Sequence, residues 1–134
     1  MTFSFRRPPF RTYSISELCR EFDVTPRALR FYEERGLLSP ARRDMQRIYS
    51  SRDRARLALV VRGRRVGISL AEIHEILDVY DREGPAGQNA RALRVFKKKI
   101  AELEAQRADV VAAIETLQDA ADRLAERLGG EAAA

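Results

Sequence analysis

Hydrophobic positions in this chain fall first into a short helical stripe. Ile15, Leu18, Cys19 and Phe22 stand at i, i+3, i+4 and i+7, the spacing that gathers side chains on one helix face. Ser14 and Glu17 form a capping box ahead of it, each side chain satisfying a backbone N–H of the other. Asp23-Val24 breaks the pattern, and a second start follows at once. Thr25 suits an N-cap, and Pro26 fits the first helical position, where its missing N–H costs nothing. The helix from Arg27 to Arg35 should turn Ala28, Leu29 and Phe31 or Tyr32 inward, with Gly36 closing it in a left-handed conformation. Two short helices joined this tightly make a helix-turn-helix.

Leu37 to Ser51 reads as a wing. Leu37-Leu38 can pack inward, Pro40 breaks regularity, Arg42 to Arg47 is polar and basic, and Ile48-Tyr49 has strand character. A small two-stranded hairpin is expected there, although no glycine marks its tip. Arg52 to Val66 should form a third helix burying Leu57, Val60 and Val61, ended by Gly67. Ser69 and Glu72 form another capping box. The fourth helix then carries Leu70, Ile73, Ile76 or Leu77, and Tyr80 inward. Residues 81–88, rich in Gly, Pro and charge, read as a hinge.

The last segment is the most regular. Leu93, Phe96, Ile100, Leu103, Arg107, Val110, Ile114, Leu117, Ala121, Leu124 and Leu128 alternate spacings of three and four. That is a heptad seam over about five repeats. A helix of roughly 40 residues, about 60 Å long, cannot bury such a seam on a small winged domain. It needs a partner helix, and a second copy is the simplest supplier. Arg107 interrupts the seam, either snorkelling outward or setting the pairing register. Gly129-Gly130 should end the helix and leave a disordered tail at 129–134. The organisation expected is thus all-α with a small β-wing: a basic arm at 1–12, a winged helix-turn-helix at 13–80, a hinge at 81–88 and a coiled-coil dimerisation helix at 89–128.

Charge sharpens this picture. The net charge of +5 conceals an asymmetry: residues 1–75 hold 16 arginines against nine acidic residues, whereas 76–134 hold nine basic against 11 acidic ones. A basic first half implies an anionic partner for that half alone. The N-terminal part of the second helix offers Arg27 and Arg30, long cations suited to phosphates and guanine edges. No apolar run approaches the roughly 20 residues needed to cross a bilayer, and the arginine-bearing first residues do not read as a signal peptide. The single cysteine, Cys19, cannot form an internal disulfide and belongs to an apolar stripe, so a cytoplasmic, structural role is expected. His74, the only histidine, reads as a surface or packing residue. With no nucleophile motif, paired catalytic carboxylates or phosphate-binding glycine loop, no catalytic residue is assigned and an enzyme is not expected. No metal site or cofactor is expected either.

At this point the residues resemble the MerR family. Tyr13 to Leu18, Val24 to Glu33, Gly36 to Pro40, Arg47-Ile48-Tyr49 and Gly67 to Ile73 are similar, in this order and spacing, to that family's two helix pairs and wing. The resemblance covers roughly Tyr13 to Tyr80 and extends to the long helix, which in the family is an antiparallel coiled coil. It implies that Arg27, Arg30 and Tyr32 face the groove and backbone of double-stranded DNA. It also implies that Arg43 and Arg47 of the wing touch flanking phosphates, that Arg64 grips the backbone further out, and that Tyr49 packs the wing on the domain. Dimerisation falls to Leu93, Phe96, Ile100, Leu103, Val110, Ile114, Leu117 and Leu124.

The resemblance further implies a homodimer that reads an inverted-repeat promoter operator, bends and untwists it, and so acts indirectly on RNA polymerase. Two departures matter. The wing is about two residues shorter than in common members and lacks their Gly-rich tip. Metal-responsive relatives carry cysteines around the dimer helix, because soft thiolates hold copper, zinc or mercury, and redox relatives use several for an iron–sulfur cluster. This chain has none after Cys19, so metal and cluster sensing are not expected, and neither is a large drug-binding domain. The short wing and cysteine-free coil resemble members linked to leucine/isovalerate and fatty-acid breakdown, which implies an acyl-metabolite effector. Two other classes stay open: an architectural or recombination accessory DNA-bending protein, and a coiled-coil interaction protein with an incidental basic half.

Overall fold

The computed structural model describes residues 11–133, with side chains through 130. Of the basic arm, residues 1–10 lie outside the described residues. The elements run β1 (Thr12–Tyr13), α1 (Ile15–Phe22), α2 (Pro26–Glu34), β2 (Ala41–Arg43), β3 (Gln46–Ser50), α3 (Ser51–Arg65) and α4 (Leu70–Ala133). Two compact units divide between Ala92 and Leu93.

The first unit assembles as the local signals dictate. Ser14 caps α1 by accepting from the Glu17 N–H at 3.1 Å, while the Glu17 carboxylate accepts from the Ser14 N–H. Asp23 takes the left-handed conformation that ends α1 (φ 53°), and the Thr25 hydroxyl accepts from the Ala28 N–H to start α2. Gly36 (φ 75°) closes α2, with the Leu37 N–H returning to the Tyr32 carbonyl at 2.9 Å. Leu18, Leu29, Leu38, Tyr49, Leu57 and Val61 then meet in one core, with Ile15, Cys19, Phe22, Val24 and Tyr32 packed around it. Tyr32, not Phe31, is therefore the inward aromatic of α2.

The wing differs from a two-stranded hairpin. β3 pairs antiparallel with β2 (Arg42 opposite Arg47) and also with β1 (Thr12 opposite Ser50, Tyr13 opposite Tyr49). Thr12, expected in the arm, is thus a strand residue. Its pairing was invisible locally because a two-residue strand carries too little alternation to register. Asp53, the one buried charged residue among those described, joins wing to helix: its carboxylate accepts from the Ser39 N–H, the Ser50 N–H and the Ser50 hydroxyl.

Helix α3 approaches α4 at Gly63, where a Cβ would stand 2.9 Å from Ile73 Cδ1. Ile73, Ile76, Leu77 and Val79 are buried, whereas Tyr80, expected inward, is exposed. The expected hinge at 81–88 narrows to one residue. Helical geometry holds on both sides of Gly84, which adopts φ 77° and ψ −165°, a region open to glycine alone. Beyond it Arg91 Nη1 lies 3.9 Å from Glu75 Oε2, so the chain reverses there. The second unit is helix throughout its described length. It passes through Gly129-Gly130 to Ala133, where a stop and a disordered tail were expected. A single glycine costs a helix only about 1 kcal/mol, too little to end a long one.

Candidate nucleic-acid interface

Pro26 fixes the first turn of α2, which sets Arg27 and Arg30 one turn apart on the same side of the helix. Both are exposed, with no acidic partner among the described residues. That is the state expected of cations held ready for an anionic ligand. Tyr32, expected beside them, is half-buried and packs against the core. Phe31 is the aromatic that projects, with the Arg35 guanidinium 5.1 Å from its ring centre.

On the wing the arginines divide. Arg43 is exposed and unpaired among the described residues. Arg47 donates from Nε to Glu33 Oε2 at 2.7 Å, and Arg42 Nη2 lies 3.7 Å from the same carboxylate. Glu33 belongs to α2, so this ion pair ties the wing to the recognition helix and holds the Arg47 guanidinium above its ordinary pKa. Arg47, expected to touch flanking phosphates, thus meets a carboxylate within the chain. Arg64 is exposed beside the α3–α4 turn, where Nη1 reaches the Ile68 carbonyl at 3.3 Å.

Much of the remaining positive charge is structural. Arg54 forks onto Glu21, with Nε 2.8 and 2.9 Å from its two oxygens, and lies over the Tyr13 ring. Arg56 donates to the Leu37 carbonyl at 2.7 Å, Arg65 to the Phe22 carbonyl at 3.2 Å, and Arg52 pairs with Asp81 at 2.5 Å. Composition counts these arginines with the others; the partners that the fold brings beside them set them apart from Arg27, Arg30 and Arg43. Arg64, bonded to a carbonyl of its own turn, stands between the two groups.

Cys19 is half-buried, and burial pushes its thiol above the ordinary pKa, as for an unreactive packing residue. His74 Nδ1 lies 2.9 Å from Asp78 Oδ2 one turn on. Among the described residues no three His, Cys, Asp or Glu side chains gather as metal ligands, and no helix is long and apolar enough to cross a membrane.

Residues 13–79 match the family pattern described as MerR HTH family regulatory protein, and residues 54–120 match one described as MerR, DNA binding. The chain is 28% identical over 120 residues to the HTH-type transcriptional regulator CueR of Salmonella typhimurium, covering 88% of this chain and 83% of that protein. Its fold superposes on the transcription regulator PbrR691 from Ralstonia metallidurans CH34, solved in complex with lead(II). The TM-score is 0.62 at 29% identity, over 80% of this chain and 83% of that one. HiNmlR, a regulator lacking the sensor domain and solved bound to promoter DNA, shares the fold with TM-score 0.60 at 22% identity, over 78% and 80% of the two chains.

Proposed function

The chain belongs to the MerR family of helix-turn-helix regulatory proteins, and on that premise we propose that it works as a homodimer reading an inverted-repeat operator. Its relatives are DNA-binding transcription regulators, not enzymes. In this reading Arg27 and Arg30 enter the major groove, and Arg43 and Arg64 grip flanking phosphates. The symmetric heads distort promoter DNA, and RNA polymerase responds to the distorted spacer.

The observation that carries the proposal is the seam of α4. Leu93, Phe96, Ile100, Leu103, Val110, Ile114, Leu117 and Leu124 are between 39% and 70% exposed in a single chain. Covering the exposed part of each contributes a share of the about 1.5–3 kcal/mol that full burial of such a side chain provides, and a second copy presents the same heptads. Charge favours an antiparallel arrangement. Residues 84–101 hold five cations (Arg91, Arg94 and Lys97 to Lys99) and no acid, whereas 102–131 hold eight acidic residues against three arginines. Antiparallel helices set the basic end of one against the acidic end of the other. Parallel helices would stack like charges.

The effector belongs outside the soft metals. Thiolate sites for such ions need several sulfurs, and the one cysteine here is half-buried in α1. A small organic molecule that changes the relation between the two heads is the effector class proposed.

Sedimentation equilibrium and footprinting test the reading together. Wild-type protein is expected as a dimer with a two-fold symmetric footprint. Ile114→Glu, which puts a charge on the seam, is expected to be monomeric, folded and unable to protect the full site. A wild-type protein that stays monomeric while footprinting one half-site would contradict the proposal.

A further inference from the structure

The tip of the wing is an unusual turn. Ala41↔Ile48, Arg42↔Arg47 and Arg43↔Gln46 are paired, so only Asp44 and Met45 connect β2 to β3. Both have positive φ, 50° at Asp44 and 64° at Met45. A two-residue hairpin of this hand matches the right-handed twist of its strands but favours Asn or Asp followed by Gly. Aspartate tolerates the left-handed region; methionine does not do so readily. A residue kept in a conformation it resists points to a use for its side chain.

The side chain itself gives the second observation. Met45 is 92% exposed, the most exposed of the large apolar residues described. It is the one large apolar side chain at the apex of a ribbon otherwise composed of Arg42, Arg43, Asp44, Gln46 and Arg47. None of the described residues covers it. The third observation is anchorage: Glu33 pairs with Arg47 at 2.7 Å and lies 3.7 Å from Arg42, which ties the strands behind the apex to α2. An unbranched, polarizable thioether adapts to irregular apolar surfaces. Proteins that bend DNA press apolar side chains, methionine among them, against or between base steps while nearby cations neutralise the backbone.

We infer that Met45 is a DNA-contacting wedge: the wing tip seats its thioether in the minor groove beside each half-site, with Arg43 on the adjoining phosphate, and helps deform the duplex. This rests on the operator-binding reading above. It assigns to the tip a contact with bases, distinct from the phosphate contacts of the wing arginines. A solvent-facing methionine at this position would gain nothing from a strained backbone, and glycine would serve the turn better.

The test uses the full chain and a duplex that the protein selects from a random library. Wild type is compared with Met45→Gly and Met45→Leu for affinity, for bend angle by end-to-end energy transfer, and for unstacking by 2-aminopurine placed along the flanks. Met45→Gly relieves the turn and is expected to melt no lower than wild type. It should bind the selected duplex roughly 10-fold more weakly, the size of one lost specific contact, with a smaller bend and no 2-aminopurine signal. Met45→Leu should retain most of all three. If Met45→Gly matches wild type in affinity, bend and 2-aminopurine signal while the selected duplex is bound, the wedge is overturned and the regulator reading stands. If wild type selects no sequence at all, the regulator reading falls and the wedge with it.

Discussion

Arg47 Nε donates to Glu33 Oε2 at 2.7 Å, bridging 14 residues of sequence to join the wing to the recognition helix. On the operator-binding reading proposed above, this pair holds Arg47 back from the phosphates and sets the angle between wing and α2. Glu33→Gln should release Arg47 and Arg42 together. Freed guanidiniums find phosphates on any sequence, so non-specific affinity is expected to rise and its salt dependence to steepen by roughly one phosphate contact per protomer. The ratio of specific to non-specific binding should fall. Titrations over a range of salt read both quantities, and an unchanged slope would show that the pair does not restrain these arginines.

Arg30 and Arg64 should separate by what they read. Alanine at Arg30, exposed on the recognition helix, is expected to cost about 1–3 kcal/mol on the preferred duplex and to relax discrimination at one base position. Alanine at Arg64 should weaken binding to preferred and scrambled duplexes alike. Competition binding with single-base variants of the site checks the distinction. Equal losses on every sequence for Arg30→Ala would remove it from base recognition.

Two helical glycines should respond with opposite signs. A methyl group at Gly63 would meet Ile73 Cδ1 at 2.9 Å in the α3–α4 contact, whereas nothing lies within 4 Å of a Cβ at Gly129. Gly63→Ala is expected to destabilise the protein by about 1–3 kcal/mol through overpacking, less some helix propensity. Gly129→Ala should stabilise its helix by up to about 1 kcal/mol. Thermal melts of the two variants check this, and a stabilised Gly63→Ala would mean the helices part without cost.

Acid should weaken the tie between α1 and α3. Hydrogen bonds from Arg54 hold the Glu21 carboxyl below its ordinary pKa. A carboxyl depressed by folding contributes stability above its unfolded pKa and loses it as pH falls through the folded value. Glu21→Gln should therefore melt below wild type at neutral pH, with the gap closing as pH drops below the ordinary carboxylate range. The pair is partly exposed, so the gap should be small and shrink with salt. A gap independent of pH would place its origin elsewhere than in the ion pair.

The elements legible in the sequence were those whose signals are local. The capping boxes at Ser14 and Ser69, Pro26 at the start of α2, Gly36 behind it, and Leu57, Val60 and Val61 on α3 each follow from a few neighbouring residues. What stayed hidden depends on distant partners. β1 exists because Thr12 and Tyr13 find β3, and Tyr32 rather than Phe31 turns inward because the core lies on that side. Arg47 and Arg43 look alike in the chain and differ only through Glu33. The seam of α4 was readable by period, but Gly129-Gly130 misled, since glycine weakens a helix without compelling it to stop.

Fluorescence anisotropy is the direct measure of the central claim, that this is a sequence-specific, dimeric DNA-binding regulator. The protein is titrated against the duplex it selects and against a scrambled duplex of equal length, at about 0.15 M salt. The account predicts a preference of roughly 10³-fold or more, with two chains bound per duplex. Equal, weak binding to both duplexes would contradict it.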